Sequence, residues 1–313
     1  MKLIYLFKVR IYILIFLVVF LQFSGFTQHK KYTSIPEALQ NPELVTWLDI
    51  NCKEVTSFSK HAQKLQNVTS FYLTTCNLEQ VPSEIKHLKK LALLNLQGNN
   101  LDTLPDNFSV LDKITVLNLR NNSFREIPIW LANLPQLREI DLANNIDLDI
   151  SQASHVFSKI KNLDFLYLNG NNLTKLPQHF TDNQNLKELH LSNNPKLDLQ
   201  QTFQVLSEIS SLKILVLSKN QLHKLPKSLN SLKQIEGLVL DQNPNLIIST
   251  LAEQLMHTPN IKVVLLRNND LTNLPEDLSG FYSLKVLELS SNNFNAKEKL
   301  RIQQGLPNTK VIF

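Results

Sequence analysis

One 23-residue frame limits what this chain can become more than any other feature. Residues 91–105 read LALLNLQGNNLDTLP: apolar at positions 1, 4, 6 and 11, Asn99 at position 9, and a Leu104-Pro105 pair at positions 14 and 15. Twenty-three residues on, the frame returns as Ile114, Leu117, Leu119, Asn122, Phe124 and Ile127-Pro128. Eleven units begin at Val45, Val68, Leu91, Ile114, Leu137, Leu163, Leu186, Leu212, Ile235, Ile261 and Leu284. Self-similarity at this period signals a stacked array, because one unit cannot bury its own apolar face.

The spelling of the unit has a physical reading. Positions 4 and 6 alternate with 3, 5 and 7 along a short strand, so the leucines point inward and their neighbours outward. Stacked turns place these strands ~4.8 Å apart in one parallel sheet. Position 9 must bend the chain away from the sheet. An Asn there has two amide donors and an acceptor for the loop backbone. It recurs as Asn99, Asn122, Asn145, Asn171, Asn194, Asn220, Asn243, Asn269 and Asn292, with Cys76 in the second unit and Lys53 in the first, where an irregular turn is expected.

These residues follow L-x-x-L-x-L-x-x-N-x-L, and the chain from about residue 45 to 313 is similar to the leucine-rich repeat family, in its 23-residue Leu-Pro form. The resemblance implies an α/β solenoid of about eleven repeats: a horseshoe with a concave parallel sheet and convex 3₁₀ or α segments. Domains of this kind commonly mediate protein–protein contacts. Secreted animal and plant members usually carry cysteine-rich caps at both ends, and none is present here. The chain therefore looks like a bacterial exported member.

Residues 1–27 read as an export signal. Lys2, Lys8 and Arg10 precede an eleven-residue apolar run from Ile11 to Leu21, short for a membrane span of about 20 residues. Gly25 and Thr27 suit the −3 and −1 positions of a cut before Gln28. An uncleaved membrane anchor is the less favoured reading. Removing the segment lowers Lys+Arg from 32 to 29 against 27 acids, so the formal charge drops from +5 to about +2. That balance, with no basic arm, gives no reason to invoke nucleic acid. Membrane contact is expected only in transit.

Residues 28–44 are expected to cap the first turn. Ser34 can start a short helix with Pro36 and Glu37 in its first turn, and Ala38, Leu39 and Leu44 would cover the core. The solenoid, residues 45–313, then reads as the rest of the mature protein and closes on a strand at 311–313. From the fifth unit the spacing alternates between 26 and 23. The short units carry an apolar-Pro pair, and the long ones read LDI, LDL and LII at 148–150, 197–199 and 246–248. Three extra residues are nearly one helical turn. Long units are therefore expected to hold α-helix at 151–161, 200–210 and 249–257.

Cys52 falls at position 8 of the first unit and Cys76 at position 9 of the second. Adjacent turns permit a bridge in an oxidising compartment, but the one-position offset favours two half-buried free thiols.

No phosphate-cradling loop, Cys/His metal spacing or nucleophile elbow is present, so no enzyme activity, metal or cofactor is expected. One remote exception is Glu188 with His190, on one strand of the concave face, which could bind a metal or move a proton. The plainer reading is a solvated ion pair. The concave columns remain. Outward Ile214, Val216, Val239, Val263 and Leu265 lie beside Phe165 and Tyr167, with His190 among them and Glu139, Asp141, Glu188 and Arg267 as a charged rim. Exposed apolar patches mark interaction sites, though β-branched residues also simply suit strands. The sequence reading is a non-enzymatic scaffold binding a protein or peptide on this face. It is exported to the periplasm, the cell surface or the medium. An intracellular regulatory scaffold is the alternative if residues 1–27 are not a signal.

Overall fold

A computed structural model describes residues 30–313. The expected signal segment and its cleavage point lie outside the described residues.

Among the described residues, thirteen short strands form one open parallel sheet in strict chain order. They are β1 (Lys31–Tyr32), β2 (Trp47–Asp49), β3 (Ser70–Tyr72), β4 (Leu93–Asn95), β5 (Val116–Asn118), β6 (Glu139–Asp141), β7 (Phe165–Tyr167), β8 (Glu188–His190), β9 (Ile214–Val216), β10 (Gly237–Val239), β11 (Val263–Leu265), β12 (Val286–Glu288) and β13 (Lys310–Ile312). Registry is by repeat position: Asp141, Tyr167, His190 and Val216 are successive partners on adjacent strands. Eleven strands fall at the expected positions. β1 was not legible in the sequence. β13 starts one residue earlier than expected.

The inward leucines make a continuous core. Leu94, Leu117, Leu166, Leu168, Leu189, Leu191 and Leu215 are essentially inaccessible. Behind them lie large aromatic rings from the convex segments, among them Phe58, Phe108, Phe157, Phe180, Phe203 and Phe281, all fully buried. In other units an aliphatic side chain fills the same place between sheet and outer layer, as Ile85, Leu131 and Leu229 do.

The convex layer follows unit length. Long units carry α-helix at Ile150–Phe157, Leu199–Ser207 and Ile248–Met256, and short units carry 3₁₀ segments such as Ser83–His87, Gln178–Asp182 and Lys227–Ser231. The helices stop up to four residues short of the expected ends. Asp149 and Asp198 cap the first two, their carboxylates accepting from Gln152 N–H and Gln201 N–H respectively. Gln152 and Gln201 then clamp both backbone groups of Ile127 and Leu176 in the preceding short unit. The third helix has Ile247 at its cap and no such bond. A further helix, Ala296–Gly305, starts at Asn295, whose side chain accepts from Glu298 N–H.

At position 9 the asparagines form a ladder. Asn194 Oδ1 accepts from Asn171 N–H and Leu173 N–H, and its Nδ2 donates to the carbonyls of Leu168 and Leu191. Each rung thus pairs buried backbone groups of its own turn and the one before. The turn residues around it take positive φ, as at Gly98, Asn121 and Gly170. A side chain at Gly170 would also meet Asn144 Oδ1 at 2.1 Å.

The ladder begins at Asn99, because Cys76 stands where the second unit would carry its rung. There the structure joins Cys76 to Cys52, with Cα atoms 5.1 Å apart. This differs from the favoured expectation of free thiols. Strand alternation does not hold in the turn: Thr75 has φ +53°, and the bend brings positions 8 and 9 of adjacent units together. The cap also departs from expectation in two residues, the first being Ser34, which precedes the short helix but makes no side-chain capping bond. Ile35 and Ala38 of the short helix Ile35–Ala38 are buried, but Leu44 is 63% exposed and covers nothing. Its segment, Pro42–Leu44, is a separate 3₁₀ turn. Glu54 instead ties the cap down, accepting from Ile35 N–H.

Candidate functional site

The outward positions of β6, β7 and β8 bring together Glu139, Asp141, Phe165, Tyr167, Glu188 and His190. In-register parallel strands put like positions ~4.8 Å apart, so side chains crowd across turns. Tyr167 lies on His190 with ring centres 4.2 Å apart. His190 Nε2 meets Glu188 Oε1 at 2.6 Å. Both members of that pair are about 5% exposed. The expected solvated ion pair is therefore a buried one, covered by neighbours one strand away.

The carboxylates have unequal surroundings. Asp141 Oδ1 accepts from Ala143 N–H, a turn bond that Asn118 repeats with Arg120 N–H one strand earlier. Burial raises the Asp141 pKa, opposed by that bond, by Arg120 and by His190. Glu139 has no such support: its side chain makes no hydrogen bond or ion pair to the described residues. Burial first, then Asp141 and Glu188, push its carboxyl up to about 7. Burial and the three carboxylates also hold the Tyr167 phenol protonated, far above its ordinary range. Of the cations beside this group, Arg120 acts on Asp141 and two others face elsewhere. Arg138 and Lys187, at the sheet edge, both pair with the buried Asp164.

The remaining predicted residues divide by access. Ile214, Val263 and Leu265 are half-buried and open to the concave side. Val216 and Val239 are buried, at 4% and 8% exposure. They are floor rather than contact surface: each is a short side chain beside a longer one in register, His190 next to Val216 and Leu265 next to Val239. Ile214 leans over the notch at Gly237, where a Cβ would lie 3.5 Å from its Cγ1. Arg267 is locked: its Nε and Nη2 lie 2.9 and 2.6 Å from Asp241 Oδ2. It closes a pair with the buried Asp241 rather than offering a free rim charge.

A second concave patch was not singled out from sequence. Trp47 and Tyr72 sit 6.0 Å apart on β2 and β3, and Lys31 pairs with Asp49 beside them. The signal was present in the position-3 and position-5 columns, but β1, which brings Lys31, was not. Among the described residues no three His, Cys, Asp or Glu side chains are placed to hold a metal ion, and none of the helices is long and apolar enough to cross a membrane.

Comparison with known proteins places the repeat. The family model for the leucine-rich repeat matches residues 113–134, one unit of the array. No curated protein matches the chain. A leucine-rich repeat protein of Leptospira interrogans is 22% identical over 91% of this chain and 100% of its own, with a TM-score of 0.45. The functional domain of InlJ from Listeria monocytogenes, described as including a cysteine ladder, is 19% identical over 77% of this chain and 48% of its own, also at 0.45. With its frame, its single parallel sheet and its asparagine ladder, the chain has the fold of a leucine-rich repeat solenoid, and one of its units matches the family's own repeat.

Proposed function

We propose that the chain is an exported, non-enzymatic scaffold that binds a protein or peptide segment through its concave face. The observation that carries the binding reading is the half-buried row Phe165, Tyr167, Ile214, Val263 and Leu265. These side chains contribute nothing to the inner core, and aromatic and aliphatic groups of this kind anchor interfaces. Export is supported by the basic, apolar leader at 1–27 and by the Cys52–Cys76 bridge, since such bonds persist in oxidising compartments. The Glu188–His190 pair is read as structural, being sealed beneath Tyr167 with no open coordination position.

Binding is tested with Tyr167→Ala combined with Leu265→Ser. The double variant is expected to weaken capture of a partner by about 2 kcal/mol or more while far-UV circular dichroism and Tm stay near the parent. His155→Ala with His179→Ala on the convex side is the control, and a larger loss there moves the site. N-terminal sequencing tests export: a start near Gln28 is expected, and an intact Met1 returns the chain to an intracellular scaffold or an anchored protein.

A further inference from the structure

We infer that the concave basin over β6, β7 and β8 receives a lysine or arginine side chain of an extended partner segment, whose aliphatic residues then lie along Ile214, Val263 and Leu265. This rests on the concave binding reading and adds its chemistry.

Charge complementarity is the first argument. Glu139, Asp141 and Glu188 all stand close enough to Tyr167 to act on its phenol. His190 is taken by Glu188, and Arg120 lies on the side of Asp141. Arg138 and Lys187 are held at the sheet edge by Asp164. Glu139 is left half-buried beside two other acids without a donor. A buried charge of this kind is costly unless paired, and the missing partner is a cation.

The aromatic surface is the second. Tyr167 is backed on one side by the His190 ring and bordered by Asp141 on the adjacent strand. A guanidinium or ammonium there meets a carboxylate and a ring together, each favouring a cation. The aliphatic row begins one strand beyond β8, within reach of the next residues of an extended chain at ~3.3 Å per residue. A bare metal ion would use the carboxylates but not the ring or the row, and the described residues place no such ligand set.

The test is selection of random dodecapeptides displayed on phage against the full chain. Recovered peptides are then measured by fluorescence polarisation against the parent, Glu139→Gln, and the Tyr167→Ala, Leu265→Ser double variant. Peptides with Lys or Arg next to aliphatic residues are expected. Glu139→Gln should weaken them about tenfold, and Lys/Arg→Gln in the peptide should do the same, with little further loss when both are changed. Thermal unfolding confirms that Glu139→Gln stays folded. Peptides that lose binding in the double variant but ignore Glu139→Gln and their own charge overturn the cationic assignment and leave concave binding standing. Peptides indifferent to every concave change, or no peptide recovered, overturn both.

Discussion

Glu139→Gln is the substitution whose effect on the fold can be worked out in sign and size. A carboxyl raised from 4.5 to about 7 carries about 1.4 kcal/mol per unit, so its full ionisation costs the fold about 3 kcal/mol, and solvent on its open side brings this nearer 2. Between those two values the folded chain holds a proton that the unfolded chain has released. Unfolding there releases a proton, so this residue's contribution to stability falls as pH rises from about 4.5 to about 7 and levels off above. A neutral amide of the same shape removes the dependence.

Urea unfolding is the suitable assay, because urea does not screen charge, and Trp130 in the 3₁₀ segment Ile129–Asn133 reports from the preceding unit. Near pH 5 the parent and Glu139→Gln should differ by less than about 0.5 kcal/mol. At pH 8 the variant should be the more stable by about 2 kcal/mol. Hydrogen exchange in β6 should show the same crossover locally. A difference that is equal at both pH values, or a variant less stable at pH 8, refutes the reasoning: Glu139 would then be solvated or paired.

Leu168 is fully buried, so Leu168→Ala should cost about 2–5 kcal/mol and Leu168→Asp more; thermal unfolding that finds both like the parent places position 6 outside the core. Asn171→Ala strands Asn145 N–H and takes from the Leu142 carbonyl one of its two side-chain donors, the other being Asn145 Nδ2, costing roughly 1–3 kcal/mol, whereas the exposed Asn245→Ala should be near silent; equal effects in urea melts remove the ladder's role. Cys52→Ser with Cys76→Ser opens a link of 24 residues' separation, worth about 3 kcal/mol. In a stack coupled only to nearest neighbours, the faster hydrogen exchange should stay within β1, β2 and β3, and loss of protection spreading to β8 contradicts that locality.

What was legible in the sequence is what the period locks. Positions 1, 4, 6 and 9 must each meet the same position of the next turn, so one unit read correctly gives the others. Helix in the long units followed from three extra residues. The misses fall where that constraint is absent. In the turn carrying Cys52 and Cys76 the backbone leaves the strand, and counting positions no longer measures distance. At β1 only two residues pair, too few for any alternation to show. Asn295 with Glu298 spells a helix start, but it lies in the eleventh unit, where no following frame measures the unit's length. On the concave face, position says which way a side chain points and not how much of it its neighbours cover. Val216, Val239, Glu188 and His190 therefore read as surface and are buried.

That difference separates structure from function along the unit. Leucines, asparagines, the two capping aspartates and the two clamping glutamines all satisfy a need of the fold, and an error at any of them has a named cost. The third long unit shows how much error is tolerated: its helix lacks both cap and clamp yet keeps its place, held by Leu251 and Leu255 in the core. Apart from the turn bond that Asn95, Asn118, Asp141 and Glu288 accept at position 5, positions 3 and 5 serve no such need beyond fitting a strand. A valine there satisfies the sheet at no cost, as Val216 and Val239 do. Glu139 does not: the fold gains nothing from a half-buried acid beside two others and would be steadier with an amide. A residue that the fold keeps against its own stability is best explained by something outside the fold, and on this face that is a positively charged partner.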